Sequence, residues 1–338
     1  MNTDIKKQTE EYKRGVADRW HTPGHKGVLW ADDLTEVDGG RRYPGDAVIR
    51  AQKTVAELYG ARELRFLTGG SSMGVKAAVM AAGGDILAGA NSHRSVFEGA
   101  ELAGVRAVII QNAVADGLPL PLTASQIERG LADNPSVAAV VLTSPDYFGR
   151  VCAPSAVEAV RRAGKILIAD SAHGAHFALR KDLFPKSLAS VADFCNMSAH
   201  KTMCAMTQGA YLCVNNGSLI EKADRALRLL GTTSPLYPLL DSLENAAYIG
   251  FYKSGAYDAL KTLVDNFKTL VPTLGNDDFS RVVVDARRLN TDGKTLFDKL
   301  LSRGVAAETY TDGYVVFIAT PFDDGAKFAR LADAILKR

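Results

Sequence analysis

Three segments, each at the end of an apolar run, carry residue types that can do chemistry, and the first is rich in glycine and serine. Residues 66–74 read FLTGGSSMG, a pattern that predicts a strand running directly into a helix. Glycines let the backbone approach an anion, and the free N–H groups of a helix start bind phosphate. A simple helix cap explains the same residues, so this segment alone leaves both interpretations open.

The second segment, residues 166–176, reads ILIADSAHGAH and places an acid directly after an apolar strand. Asp170 can accept a charge-assisted hydrogen bond from a protonated ring nitrogen. The ordinary alternative is that Asp170 caps a helix while His173 and His176 pack in the core. A metal site built from these three side chains is a further alternative, but no other cluster suggests another ligand, so we predict no metal.

The third segment, residues 196–202, reads NMSAHKT and ends a buried strand with Ser198, His200 and Lys201. A lysine amine that is desolvated near other cationic groups has the lowered pKa that Schiff-base chemistry requires. A solvated surface lysine is the usual alternative, but apolar segments flank Lys201 on both sides. One strand, a crossover and another strand separate Asp170 from Lys201, so both can reach one crevice.

The elements that would position these groups alternate between short apolar strands and helices from about Glu63 onward. Seven runs are predicted as buried strands: 64–67, 85–87, 107–110, 137–142, 166–169, 194–197 and 211–214. Such strands, separated by helices, predict an α/β fold, a three-layer domain with a mostly parallel sheet. A capping box at Thr123 and the proline at Pro154 predict helix starts. Ligands of such sheets bind beyond the carboxyl ends of the strands.

We predict an N-terminal helix and active-site loop over residues 1–45, a large domain over 46–250 and a small C-terminal α+β domain over 251–338. In the small domain the pattern predicts strand 281–285, helix 293–301, strands 306–310 and 314–319, and helix 325–336. The Gly/Pro-rich loop over 20–45 is long enough to be functional or disordered. Its segment HTPGHKG, residues 21–27, is either an ordinary turn or a surface for an acidic substrate group.

Composition excludes several classes of protein. The 338 residues have a formal net charge of +2, and no basic run with interleaved aromatics suggests a nucleic-acid groove. No apolar run approaches the ~20 residues that span a bilayer, so we expect a soluble cytoplasmic protein and no membrane partner. The four cysteines follow no metal or disulfide spacing and are predicted as buried thiols, with Cys204 a small core residue rather than a nucleophile.

Several motifs, in order along nearly the whole chain, closely resemble the Orn/Lys/Arg decarboxylases. That family has the aspartate aminotransferase fold (fold type I) and depends on pyridoxal 5′-phosphate (PLP). The segments that carry the resemblance are HTPGHKG (21–27), DLTE (33–36), FLTGGSS (66–72), NSHRSV (91–96), TSPDYFG (143–149), DSAHGAHF (170–177), SAHKTMCAMTQGAYL (198–212) and TTSPLYPLLDSLENA (232–246).

The resemblance implies a role for each matched residue. Lys201 would form the Schiff base with PLP, Asp170 would hold the pyridine nitrogen, and His93 would stack on the ring. His200, with Lys201, would be a proton donor. The remaining cofactor contacts implied are Gly70, Ser71, Ser72, His173, Ser198, Thr233 and Ser234. Of these, Thr233 and Ser234 would reach the phosphate of a neighbouring subunit, which implies a homodimer with sites at the interface.

The implied reaction is decarboxylation of lysine, ornithine or arginine through an external aldimine and a quinonoid, as in polyamine and amino-acid metabolism. Another PLP reaction is an alternative: an aminotransferase, an aldolase or a β-eliminating lyase. An aminotransferase would need an arginine for the α-carboxylate, for which Arg281, Arg287 and Arg288 are candidates without a motif. A non-catalytic PLP-binding relative is the third alternative.

The sequence departs from the family pattern in three places. Ser171 follows the cofactor aspartate where an acid is common, and Gly69-Gly70-Ser71 stands where asparagine and threonine are frequent. Neither change removes a cofactor group. Typical members also continue beyond the point that corresponds to Arg338, so we expect substrate recognition to differ.

Overall fold

The computed structural model describes residues 3–37 and 44–337. The helices are α1 (Asp4–Gly15), α2 (Asp46–Tyr59), α3 (Gly70–Ala82), α4 (Arg94–Ala103), α5 (Ala124–Asp133), α6 (Pro154–Arg162), α7 (Ala199–Thr202), α8 (Ile220–Leu230), α9 (Tyr237–Tyr252), α10 (Ala256–Leu270), α11 (Gly293–Ser302) and α12 (Gly325–Leu336). The strands are β1 (Glu63–Leu67), β2 (Ile86–Gly89), β3 (Ala107–Ile110), β4 (Val114–Ala115), β5 (Leu118–Pro119), β6 (Ala139–Thr143), β7 (Ile166–Asp170), β8 (Phe194–Met197), β9 (Ala210–Val214), β10 (Arg281–Asp285), β11 (Thr309–Tyr310) and β12 (Tyr314–Ile318).

Seven strands form the main sheet in the order β1-β9-β8-β7-β6-β2-β3. The five strands from β3 to β8 are parallel neighbours, whereas β9 is antiparallel to both β8 and β1. Strand β1 therefore runs in the same direction as β8. As a result, β1, β2, β6, β7 and β8 all end at one edge of the sheet, where the chemistry-bearing segments follow them.

Side chains of the strands alternate between two buried faces. Leu64, Leu167 and Cys195 pack on one face with α2, α5, α6 and α9. Ile168 and Phe194 point to the other face, which is covered by α3, α4 and α8. Because residues alternate sides along a strand, one sheet needs two helical layers to bury it. The predicted three-layer α/β fold with a mostly parallel sheet is confirmed.

Local signals in the sequence set several helix starts. Thr123 and Gln126 form the reciprocal capping box of α5, and Pro154 lies in the first turn of α6. Residues 107–110 form a strand as predicted. The prediction that this strand is buried is wrong, because β3 lies at the edge of the sheet and is only partly covered. Cys204 is likewise half-buried, whereas the other three cysteines are buried.

A second sheet, in the order β10-β12-β11, packs with α10, α11 and α12 around its own apolar core. Helix α12 has the predicted bounds, whereas the predicted strand 306–310 shortens to Thr309–Tyr310. Phe177, Leu179 and Phe184, which follow β7, also belong to this core. The proposed domain boundaries at residues 45 and 250 stay predictions.

The N-terminal region is anchored by a buried acid. Glu244 of α9 is fully buried and accepts hydrogen bonds from the backbone N–H groups of Asp4 and Ile5, at 3.0 and 2.9 Å. It thereby satisfies N–H groups that the start of α1 leaves without helical partners. Part of the predicted loop over 20–45, residues 38–43, lies outside the described residues. None of the helices in the described part is long and apolar enough to cross a membrane.

Candidate active site

Four strand ends bring the predicted residues to one edge of the main sheet. The turn after β1 carries Gly70 and Ser71, Asp170 ends β7, and Lys201 lies in the short helix α7 after β8. His93 caps α4, which follows β2. Parallel strand direction alone accounts for this convergence, because all these residues come after strands that end together.

Lys201 is half-buried, and its amine meets a histidine rather than an acid. Its Nζ lies 3.2 Å from Nε2 of His173. Burial lowers the pKa of Lys201, the charges of Asp170 and Glu308 act in the opposite direction, and that of Arg281 lowers the pKa further. The net result is a lowered pKa, which favours the neutral, nucleophilic amine.

His173 is buried between Lys201 and an arginine. Nη2 of Arg281 donates a hydrogen bond to Nδ1 of His173 at 2.7 Å. Burial lowers the pKa of His173 well below its usual value, and the charges of Arg281 and Lys201 lower it further. The imidazole is therefore neutral at ordinary pH.

Asp170 is buried at the end of β7 and keeps acceptor capacity for a ligand. Its Oδ1 accepts a hydrogen bond from the backbone N–H of Ala172 at 3.2 Å. Burial raises the pKa of Asp170, while that hydrogen bond and the charges of His93 and Lys201 oppose the rise. A buried carboxyl of this kind gains most from a cationic N–H partner.

The glycine- and serine-rich turn begins α3 and is tied to the segment that carries the lysine. Gly70 has a φ of +73°, in the left-handed region, and its N–H donates to the carbonyl of Gln208 at 3.0 Å. The hydroxyl of Ser198 donates to that of Ser71 at 2.7 Å. Ser72 lies in the same first turn. Two hydroxyls therefore adjoin a helix N-terminus, an arrangement that can hold an anion.

Two further histidines flank the group. Nδ1 of His93 accepts a hydrogen bond from the backbone N–H of Ser95 at 3.2 Å, which fixes the ring at the start of α4. Nδ1 of His200 lies 3.0 Å from the carbonyl of Gly209. A carbonyl only accepts, so this nitrogen of His200 carries the proton and Nε2 faces elsewhere.

Some predicted residues make no described hydrogen bond to Lys201 or Asp170. Thr233 lines a groove of about 1090 Å³ beside α2, β1 and α8, and Ser234 hydrogen-bonds to Thr232. In residues 3–37 and 44–337, no hydrogen bond joins either of them to Lys201 or Asp170. His25 of the HTPGHKG segment instead pairs with Asp33 at 3.1 Å.

Other candidates take structural partners. His176 is buried and lies 3.2 Å from Asp278, so it packs at the junction with the second sheet. Arg287 pairs with Asp285 at 3.0 Å. Over the described part of the chain, no three His, Cys, Asp or Glu side chains form a group that could hold a metal ion.

Sequence reasoning missed two residues of the site, Tyr147 and Glu308. The rings of Tyr147 and His173 meet edge to face at 4.8 Å, and the Tyr147 hydroxyl donates to Oε1 of Glu308 at 2.6 Å. Tyr147 lies in the matched segment TSPDYFG, which was a usable signal. Glu308 lies in no motif, and Arg281 had been named only as a candidate carboxylate clamp.

Comparison with solved structures defines the class. The chain superposes on the constitutive lysine decarboxylase of E. coli with a TM-score of 0.77 and 18% identity, over 98% of this chain and 59% of that one. It superposes on serine palmitoyltransferase of Sphingomonas wittichii with a TM-score of 0.66 and 13% identity, over 98% of this chain and 82% of that one. The protein therefore has the fold of PLP-dependent fold type I enzymes.

Sequence comparison then gives the family. The model of the Orn/Lys/Arg decarboxylase major domain matches residues 32–284. The uncharacterized protein YaaO of Bacillus subtilis is 32% identical over 276 residues, which cover 74% of this chain and 57% of that protein. The chain belongs to the Orn/Lys/Arg decarboxylase family, and it spans less than two thirds of the length of that relative and of the E. coli lysine decarboxylase.

The cofactor of this family is PLP, and the side chains of the site fit it. The Lys201 amine, with its lowered pKa, suits the aldehyde of PLP, and the buried carboxylate of Asp170 suits its pyridinium N–H. The start of α3, with the hydroxyls of Ser71 and Ser198, suits its phosphate. Gly70 also leaves room for a ligand, because a Cβ there would meet nothing closer than 4.0 Å.

Proposed function

We propose that the protein is a PLP-dependent decarboxylase of a basic amino acid: lysine, ornithine or arginine. The observation that carries the proposal is the meeting of the Lys201 amine with neutral His173, beside Asp170 from the neighbouring strand. The same three residues lie in the motifs that resemble the decarboxylase family. Amine and acid thus adjoin one crevice at the carboxyl edge of the sheet.

When bound, PLP supplies an electron sink for the bond that breaks at the substrate α-carbon. The chain's own residues hold and orient it. Asp170 would accept a hydrogen bond from the pyridinium N–H, and His93 would stack on one face of the ring. The start of α3, with Gly70, Ser71 and Ser72, would bind the phosphate together with Ser198.

Proton transfer falls to two neighbouring side chains. Because its lowered pKa leaves Nζ of Lys201 unprotonated, this amine could take up a proton and would then give it to the substrate carbon once carbon dioxide has left. His200 is the second candidate donor, through Nε2 when the ring is doubly protonated, since Nδ1–H is already bonded to the carbonyl of Gly209. Because Nδ1 of His200 is hydrogen-bonded to the carbonyl of Gly209, the orientation of the ring is fixed.

The distal group of the substrate needs a partner of opposite charge, and Glu308 is our candidate. Glu308 is exposed, has no ion pair within the described ranges, and lies close enough to raise the pKa of Lys201. The Tyr147 hydroxyl holds its carboxylate at 2.6 Å. A fixed, unpaired carboxylate beside the reactive amine suits an ammonium or guanidinium group.

We also propose a cytoplasmic homodimer. Within the described residues no hydrogen bond joins Thr233 or Ser234 to Lys201 or Asp170, and the family resemblance assigns these two residues to the phosphate of a neighbouring subunit. Mixing Lys201→Ala protein with Thr233→Ala protein tests this, because shared sites would restore partial activity in the mixed dimer. Persistent inactivity of the mixture, with dimer exchange verified, would exclude shared sites.

The reaction is tested with purified protein, PLP and each L-amino acid, by measuring carbon dioxide release and keto-acid formation together. We expect carbon dioxide with lysine, ornithine or arginine, and none with Lys201→Arg, which keeps the charge but not the nucleophile. Keto-acid formation instead would assign an aminotransferase. Binding of PLP without any product would favour a non-catalytic relative.

A further inference from the structure

Arg281 is an unusual residue of the site, because it is a cation buried with little hydrogen bonding. Its side chain is 1% exposed, and Nε and Nη1 are buried with no hydrogen-bond partner among residues 3–37 and 44–337. The hydrogen bond that it does make, from Nη2, goes to Nδ1 of His173. It comes from β10 of the second sheet, 80 positions after Lys201 in the chain. Burying a charge with so few hydrogen bonds costs free energy. A functional role for Arg281 would account for its retention there.

The direction of the hydrogen bonds follows from donor chemistry. A guanidinium has no acceptor atom, so Nδ1 of His173 must present its lone pair to Arg281. In a neutral imidazole the proton is then on Nε2, which lies 3.2 Å from Nζ of Lys201. If Nε2–H of His173 donates to Nζ of Lys201, the amine must have a free lone pair to accept the hydrogen bond. The arrangement is consistent only with an unprotonated Lys201.

We infer that Arg281 is a positioning residue that, through His173, holds the amine of Lys201 in the unprotonated form that bonds to PLP. The inference rests on the proposed role of Lys201 as the cofactor-binding lysine. Two effects act in the same direction. The fixed charge of Arg281 repels a protonated amine, and the locked tautomer denies that amine an acceptor.

Other charged and titratable groups also face these three residues. Asp170, which ends β7, and Glu308, before β11, favour a protonated Lys201. The titratable groups that face Arg281 in turn are Asp278, Glu308, Tyr147 and Asp146. The titratable rings of His93 and His176 also face His173. Burial is the largest cause of the lowered pKa of Lys201, and the charge of Arg281 acts in the same direction against the two acids.

The test is the pH dependence of PLP attachment to the apo protein, trapped by borohydride and quantified on the Lys201 peptide by mass spectrometry. Two hydrogen bonds and one imidazole place the Arg281 charge within about 8 Å of Nζ, so Coulomb's law predicts roughly 2- to 30-fold slower attachment in Arg281→Met at pH 7. The profile should move to higher pH. Arg281→Lys keeps the charge and should recover most of the rate.

A surface substitution, Arg162→Met, is the matched control, because its side chain is 60% exposed on α6. If Arg281→Met folds poorly, His173→Leu makes the same test, since it removes the connection itself. Combining both changes should slow attachment by less than the product of the two single effects, because the tautomer effect needs both residues while the charge of Arg281 also acts on Lys201 directly. A wild-type pH profile in the single variants, or full additivity in the double variant, would overturn the inference. No PLP on Lys201 in the wild type would overturn the proposed function as well.

Discussion

Replacing Gly74 with alanine is expected to loosen the phosphate end of the site by moving α3 away from β8. A Cβ at this position would lie 2.0 Å from Oδ1 of Asn196 and 2.6 Å from Cδ1 of Leu67. Asn196 is fully buried, so it has no open space to enter. The helix must shift, and Ser71, one turn earlier, then separates from Ser198.

Two effects of opposite sign set the magnitude. Alanine is favoured over glycine inside a helix by about 0.5–1 kcal/mol. Overpacking a close-packed core costs about 1–3 kcal/mol, and an overlap this deep belongs at the upper end. We therefore expect the free energy of unfolding to fall by roughly 2 kcal/mol. PLP affinity should fall with it, because the Ser71–Ser198 hydrogen bond belongs to the proposed phosphate site.

Urea unfolding of the apo protein measures the stability, since bound PLP would stabilise the folded state by mass action. A PLP titration of the same sample measures the affinity. Gly15→Ala is the control, because a Cβ at Gly15 meets nothing within 4 Å at the exposed end of α1. A Gly74→Ala protein as stable as the wild type would refute the packing argument. Lost stability with unchanged PLP affinity would refute the link to the site.

Three further substitutions test separate parts of the site. Glu308→Gln keeps an acceptor for the Tyr147 hydroxyl but removes the charge. KM for lysine, ornithine or arginine should therefore rise about 10- to 100-fold. An unchanged KM in steady-state kinetics would exclude Glu308 from substrate recognition. Asp170→Asn removes the charge-assisted partner of the pyridinium, and we expect turnover at saturating PLP to fall at least tenfold, whereas equal turnover would remove Asp170 from the mechanism. Ser198→Ala deletes one hydroxyl and should weaken PLP binding by about 1 kcal/mol, roughly fivefold in a spectrophotometric titration; wild-type affinity would mean that the phosphate lies elsewhere.

The framework of the site could be predicted because it depends on local patterns. Apolar runs located the strands, and parallel strands place the residues that follow them at one edge. That reasoning is enough to bring Asp170 and Lys201 together. The antiparallel direction of β9 could not be predicted in this way, because an apolar run does not encode the direction of a strand.

The rest of the site depends on contacts between distant parts of the chain. Tyr147 and Glu308 are 161 positions apart, and His173 and Arg281 are 108 positions apart. No local pattern signals which arginine of the second sheet will be buried against the first. Burial itself explains why Arg281 matters, and burial of a charged residue is the property that sequence patterns predict least well.

The most direct measurement of the central claim is the position and stoichiometry of PLP on the chain. Borohydride reduction of the purified holoprotein, followed by peptide mass spectrometry, gives both values. We expect about one reduced phosphopyridoxyl group per chain, on Lys201 and on no other lysine, with none in Lys201→Ala. Labelling of a different lysine, or labelling that survives in Lys201→Ala, would contradict the account.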